Sequence, residues 1–329
     1  MSHDELQPMN EQRNNDLEAI KLLKKQINCV FIGQDKVVDQ LLIAMLAAGH
    51  VLIEGVPGLG KTLLVRLLAK SISGDYARVQ FTPDLMPSDI TGHVMFDNES
   101  NKFRIRRGPV FTNLLLADEI NRAPAKTQSA LLEVMQEHQV TLEGKSLPVP
   151  EPYLVMATQN PLEQEGTYPL PEAQLDRFII KVKIDYPQAS EEHEMVKSVT
   201  SNQVGDQFSI SDVEQPFSPQ DIVRLQKQVA AIAIDDEVSA YAVSIVRKTR
   251  DWSGVSNGAG PRGAIAIVRC ARARAFMQGR DFVMPDDIKQ VALPVLRHRI
   301  ILSPEMELEG MDVDRVITSL LDNVPTPRK

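Results

Sequence analysis

Four positions carry the first chemical signal: Gly55, Gly60, Lys61 and Thr62, set in the stretch VLIEGVPGLGKT from Val51 to Thr62. Their spacing fills every fixed position of G-x-x-x-x-G-K-[ST], a loop that turns backbone N–H groups around an anion. Glycine at Gly55, Gly58 and Gly60 lets the backbone take positive φ, and the helix that begins near Lys61 adds its positive end. Lys61 would meet the β- and γ-phosphates of a nucleotide as a point charge, and the Thr62 hydroxyl would ligate Mg²⁺. The intervening Val56, Pro57 and Leu59, and Leu63 just after, complete the expected contact set. The competing reading is a Gly-rich strand-to-helix turn with a capping Thr. The flanks oppose it: Val51 to Ile53 reads as a buried strand and Leu63 to Ser71 as an apolar helix, the context that the pattern requires.

A second signal is LLLADEI, an apolar run that ends in Asp118 and Glu119. A buried parallel strand delivering two adjacent carboxylates at its C-terminal end suits metal and water chemistry: Asp118 to hold Mg²⁺, Glu119 to polarise an attacking water. Alone the run also reads as two solvated acids at a strand end; its place after the phosphate loop favours the chemical reading. Three polar residues follow. Asn160, just beyond an apolar strand, can hydrogen-bond a γ-phosphate or simply form the turn before Pro161. Arg177 is either a salt-bridged structural residue or a charge offered to a phosphate on a neighbouring subunit. Arg262 opens a helix in GAGPRG, where the helix dipole disfavours a cation, so it needs an anionic partner, an ATP phosphate or a carboxylate. Ahead of the first strand, Phe31, Ile32 and Gly33 form an apolar turn that can pack on a base or merely connect helices.

These groups need a scaffold. Five buried strands, Val51–Ile53, Ala77–Phe81, Val110–Ala117, Tyr153–Ala157 and Phe178–Ile184, alternate with helical stretches, which predicts a doubly wound α/β fold with a five-stranded parallel sheet. Residues 1–15 read as a mobile tail, 16–186 as the nucleotide-binding domain and 187–329 as an all-helical domain. Two insertions interrupt the first domain, at about 85–107 and 139–150, each with hairpin signals, and insertions on a rigid scaffold carry specific function.

Composition limits the alternatives. At 329 residues the chain exceeds what one core usually supports. A net charge of −8 argues against sequence-independent polyanion binding as the main task, since Lys and Arg carry that affinity. Cys29 and Cys270 are too few for a disulfide framework and read as core thiols. The polar N-terminus lacks an apolar signal region, and no apolar run reaches the roughly 20 residues of a membrane span, so a cytoplasmic protein is expected.

Taken in order, IGQ, GVPGLGKT, FTPDLMPSDITG, RGPVFTNLLLADEINRA, ATQNP, EGTYPLPEAQLDRF and GAGPRG resemble the MoxR-type ATPases of the AAA+ superfamily, over about Ile32 to Leu296. The resemblance implies an AAA+ core with a helical lid and Mg²⁺-dependent ATP hydrolysis. It makes Lys61 and Thr62 the Walker A residues, Asp118 and Glu119 the Walker B pair, Asn160 sensor 1, Arg177 an arginine finger acting on the adjacent protomer and Arg262 sensor 2. It further implies a homo-oligomeric ring, usually a hexamer, that works as a chaperone-like factor on a protein client or its metal cofactor, with von Willebrand factor A domain proteins as partners. Whether Arg262 acts within or between subunits stays open. Rival readings are a nucleotide-gated scaffold that needs no turnover, a chelatase-type motor subunit, and a nucleic-acid motor using Lys102, Arg104, Arg106 and Arg107. A GTPase lacks its N-K-x-D sequence, and the scattered histidines offer no transition-metal site.

Overall fold

The computed structural model describes residues 3–56, 59–99, 101–160, 166–200 and 216–327, with backbone only at 3–10 and 198–200. Helices α1 (His3–Val30) and α2 (Asp35–Leu46) precede β1 (His50–Gly55), α3 (Lys61–Ser71) and β2 (Tyr76–Gln80). A one-turn helix α4 (Pro87–Thr91) leads into the hairpin β3 (Gly92–Asp97) and β4 (Lys102–Arg107), followed by β5 (Leu114–Asp118) and α5 (Ala125–Glu137). A second hairpin, β6 (Gln139–Leu142) and β7 (Lys145–Pro148), comes before β8 (Leu154–Gln159), the short α6 (Glu172–Leu175) and β9 (Phe178–Ile184). Then follow α7 (Ala189–Thr200), α8 (Pro219–Ala230), α9 (Asp236–Arg250), β10 (Val255–Asn257), α10 (Pro261–Met277), α11 (Pro285–Leu296), β11 (Ile301–Leu302), α12 (Pro304–Leu308) and α13 (Val313–Asn323).

The central sheet has the order β2-β5-β8-β1-β9 with every pairing parallel. Its three central strands, β5, β8 and β1, are apolar on both faces because helices cover both. Val51 and Ile53 of β1, Leu114 and Leu116 of β5, and Leu154 and Met156 of β8 enter one core; Leu52, Leu115, Val155 and Ala157 enter the other. That period of two, with both phases buried, distinguishes a doubly covered parallel sheet from a half-solvated one. The first of these cores is continuous with α2, α8, α10 and α11, so the later helices share apolar packing with the sheet. Proline at the first turn starts α8, α10 and α11, and Ser218 caps α8 by accepting from the Asp221 N–H.

Three expectations need correction. The segment expected to be a mobile tail over residues 1–15 is helical from His3, continuous with the helix through Val30. Polarity misled: Asp16 is buried because Arg224 of α8 grips its carboxylate, and Arg13 lies over the Phe276 ring at 5.8 Å. The later helices are joined by a short antiparallel ribbon, β10 with β11, two or three residues a strand and too short to leave a periodic signal. Cys270 is a core thiol whose pKa burial pushes up to about 12, but Cys29 is exposed.

Candidate nucleotide site

The phosphate loop leaves the C-terminal end of β1. Gly60 takes φ 75° as the cap of α3, a left-handed conformation that glycine adopts without strain. The Phe31 ring packs against Gly60, its Cε2 3.2 Å from where a Cβ would stand. Phe31, Ile32 and Gly33 therefore border the loop. Gly33 has φ 77° and abuts the Glu191 side chain of α7, while Gln34 donates to the carbonyl of Asp185 just past β9. Ile32 and Gly33 thus lie between the loop and the end of β9, where a nucleoside would extend from phosphates bound at the helix terminus. Val56, Leu59, Thr62 and Leu63 belong to the described part of the loop; Pro57 and Gly58 lie outside the described residues.

Lys61 is half-buried, and its Nζ donates to the Gly55 carbonyl at 2.5 Å. Burial lowers its pKa, opposed by the negative charge of Asp118 and Glu119, so β5 brings its two carboxylates close enough for the ammonium to feel. Asp118 is almost fully buried. One oxygen accepts from the Thr158 hydroxyl at 2.6 Å and the other from Arg78 of β2 at 2.7 Å. Glu119 has φ 55°, uncommon for a residue with a side chain. Its N–H donates to Thr158 Oγ1 at 2.8 Å, and its carboxylate accepts from Gln80 at 2.7 Å and Arg122 at 3.0 Å. One threonine thereby fixes both acids. Asn160 ends the same strand region and is buried.

Oxygen donors of this kind suit Mg²⁺, which binds through one or two side chains plus substrate phosphates. No cluster of three or more His, Cys, Asp or Glu that could hold a metal occurs among the described residues, so the phosphates would have to supply much of the coordination. Thr62 and Asp118 are the protein groups that would share it.

Arg177 and Arg262 lie elsewhere. Arg177 precedes β9, whose Phe178 pairs with His50 at the start of β1, so it sits at the opposite end of the sheet from the loop. A six-residue strand at about 3.3 Å per residue puts roughly 17 Å between the two ends. There a cavity of about 360 Å³ is lined by Arg177, Arg262, Arg269 and Arg299 with Asp176 and His138. Arg299 is buried and donates to Asp176 at 2.7 Å; Arg262 is 3.9 Å from the same carboxylate. Among the described residues the Arg177 guanidinium has no hydrogen-bond partner, although its Nε is buried. Arg177 is half-buried, and its Nε is a buried donor without a partner beside that cavity.

The sequence reading missed Arg78, Gln80, Arg122 and Thr158. Arg78 and Gln80 alternate on β2, so both project to one face next to β5, a signal readable only once β2 is known to border β5. His50, read only as a break in an apolar run, is a core histidine. Its Nε2 bonds the Met135 carbonyl and its Nδ1 accepts from Val155 N–H, while burial lowers its pKa to about 4.

A parallel sheet in this order, with a phosphate loop after β1, an acid pair after β5 and helices packed behind it, defines an AAA+ ATPase core with a helical lid. Two family models agree: residues 50–180 match an ATPase family associated with various cellular activities (AAA), and residues 247–320 match an AAA lid domain. Within that class the chain belongs to the MoxR family. It is 45% identical to an uncharacterized protein, YeaC, of Bacillus subtilis over 92% of this chain and 93% of that one. It is 43% identical to the chaperone MoxR1 of Mycobacterium tuberculosis over 92% of this chain and 81% of that one. A crystal structure of a presumed ATPase from Cytophaga hutchinsonii superposes with TM-score 0.90 at 41% identity, covering 98% of this chain and 99% of that one.

Proposed function

We propose that the chain hydrolyses ATP with Mg²⁺ at a pocket shared between subunits of a ring, a hexamer by family resemblance, and uses turnover to remodel or activate a protein client or its metal cofactor. The observation that carries this reading is the distance between the two halves of the site. Lys61, Thr62, Asp118, Glu119 and Asn160 gather at one end of the sheet, whereas Arg177 and Arg262 share a cavity at the other. A guanidinium cannot cross roughly 17 Å to its own phosphates, so both arginines reach ATP only on a neighbouring copy. On this reading Arg262, like Arg177, acts between subunits.

In the proposed reaction Lys61 and the loop amides bind the phosphates, and Thr62 and Asp118 would hold Mg²⁺, which would supply charge neutralisation there. Glu119, aimed by Gln80 and Arg122, orients the water that attacks phosphorus. Asn160 hydrogen-bonds the γ-phosphate or that water, and the incoming Arg177 stabilises the charge that develops as the bond to the leaving ADP oxygen breaks. Such fingers contribute roughly 10³ to 10⁵ in rate in other phosphoryl-transfer systems. The name of the M. tuberculosis relative supports a chaperone role, and the family resemblance suggests von Willebrand factor A domain proteins as partners. No helix among the described residues is long and apolar enough to cross a membrane.

The test is subunit mixing. Lys61→Ala chains cannot hold ATP and Arg177→Ala chains cannot complete a neighbour's site. Each alone should be inactive, and a mixture should regain turnover at interfaces that pair a wild-type loop with a wild-type arginine. Activity of Arg177→Ala equal to the parent, or a chain that stays monomeric with ATP at every concentration, would refute the shared pocket.

A further inference from the structure

Arg297, His298 and Arg299, which follow α11 in the lid, all bond to β9 or to the residue just before Arg177. β9 is an edge strand of the central sheet, so the carbonyls on its outer side have no strand to pair with and take hydrogen bonds from the lid instead. The register against β1 slips at this point: His50 pairs with Phe178 and Val51 with Ile180, which leaves Ile179 as an extra residue. A bulge of this kind bends its strand and re-aims neighbouring side chains. Arg177 stands two residues before it.

Arg299 commits its whole guanidinium here. Its Nε donates to Asp176 Oδ1 at 2.7 Å, and its Nη2 to the carbonyls of Phe178 at 2.7 Å and Asp176 at 3.3 Å. Its Nη1 donates to the Ile179 carbonyl at 3.2 Å and to the carbonyl of Val295 in α11. A guanidinium has five N–H groups in a fixed planar fork, and each of them has an acceptor in this arrangement. His298 donates from Nε2 to the same Phe178 carbonyl at 2.9 Å, and both side chains are buried. The acceptors include both residues that flank Arg177, so the lid holds the backbone on either side of it. Apolar packing already joins α10 and α11 to the sheet, and a buried ion pair is seldom more stabilising than such packing. What the fork adds is a fixed direction for residues 176–179.

We infer that Arg299 is a positioning residue for Arg177: through this fork the lid of one subunit sets where its arginine stands against the ATP of the next. The inference rests on the reading above in which Arg177 acts between subunits. An arginine that stabilises developing charge must arrive within hydrogen-bond range, and a misplacement of about 1 Å can cost about 10²-fold in rate. Because the fork bonds Val295 of α11 as well as β9, a shift of α11 carries the Arg177 segment with it.

Arg299→Lys keeps the charge and loses the fork. It should lower kcat about 10- to 100-fold and leave ATP affinity within about twofold, because the fork stands at the end of the sheet away from the phosphate loop. Subunit mixing supplies a readout that a merely structural fault would not move. Arg299→Lys chains have an intact phosphate loop and a misplaced arginine, so they should regain turnover when mixed with Lys61→Ala chains and not when mixed with Arg177→Ala chains. Damage to the chain's own nucleotide site would instead go unrelieved by Lys61→Ala chains. Asp176→Ala removes one partly exposed acceptor and spares the backbone bonds. It should lower kcat several-fold with the same mixing pattern, and it decides the matter if Arg299→Lys does not fold. Parental kcat in either folded variant, or a loss that Lys61→Ala chains do not relieve, would overturn the inference. Parental activity in Arg177→Ala would strike the shared pocket itself, so the two failures are separable.

Discussion

The Thr158 hydroxyl donates to Asp118 Oδ1 at 2.6 Å while its oxygen accepts the Glu119 N–H at 2.8 Å. A residue of the neighbouring strand therefore fixes both the Asp118 carboxylate and the backbone of Glu119, the groups proposed to hold Mg²⁺ and to orient water. Thr158→Val keeps the shape and removes the hydroxyl. It should lower kcat about 10- to 100-fold, the range seen when groups that support a metal ligand are lost, and Thr158→Ser should restore most of it. Steady-state ATPase kinetics with a parallel nucleotide-binding titration decides; an unchanged kcat in Thr158→Val would remove Thr158 from the mechanism.

In the proposed mechanism Glu119 orients water and does not ligate phosphate, so Glu119→Gln should bind ATP at near wild-type affinity yet turn over about 10² to 10⁴ times more slowly. Gln80→Ala should act in the same direction but less, because Arg122 still holds one side of the carboxylate. Single-turnover measurements check both. Parental turnover in Glu119→Gln would exclude the assignment.

Removing Arg224 should leave Asp16 buried without its bidentate partner. Arg224 is itself about a third exposed, which reduces the cost, so Arg224→Ala is expected to destabilise by roughly 2 kcal/mol. The same change should make α1 a protease target while the rest of the chain resists. Limited proteolysis followed by mass spectrometry, alongside thermal unfolding, provides the readout.

His50 and His298 are buried and neutral. His50 titrates at about 4 instead of its usual 6.5, and His298 is also lowered well below its ordinary value, both mainly because burial disfavours the charged ring. With the folded pKa below the unfolded one, the unfolded chain takes up the proton first. Stability is then full above about pH 6.5 and declines as the pH falls toward 4, with His50 alone accounting for about 3 kcal/mol across that window. Tm measured from pH 7.5 down to pH 4.5 should fall, and His50→Gln, whatever its effect at pH 7.5, should flatten the slope. An unchanged slope in that variant would mean that His50 does not control the acid limb.

Much of the site was legible before any coordinates. GVPGLGKT needs its strand and helix, and LLLADEI needs burial, so local sequence fixes the chemistry where a short chain segment contains all of its own partners. The same logic fails for α1. Its residues are polar, and only the approach of Arg224, over two hundred positions later, makes burial of Asp16 favourable. It fails also for Arg78 and Gln80, which look like ordinary strand residues until the strand order sets them beside Asp118 and Glu119.

By itself the sequence determined that this protein has a phosphate loop, an acid pair at a buried strand end and five strands between helices, because those features repeat within windows shorter than one element pair. The tertiary structure decided which end of the sheet each charge occupies. Lys61 and Asp118 lie at one end, and Arg177 stands beside Arg262 at the other, because parallel pairing of β9 with β1 sends the residue before β9 away from the loop that follows β1. Strand direction and lid packing are properties of the assembled chain, and no local pattern encodes them.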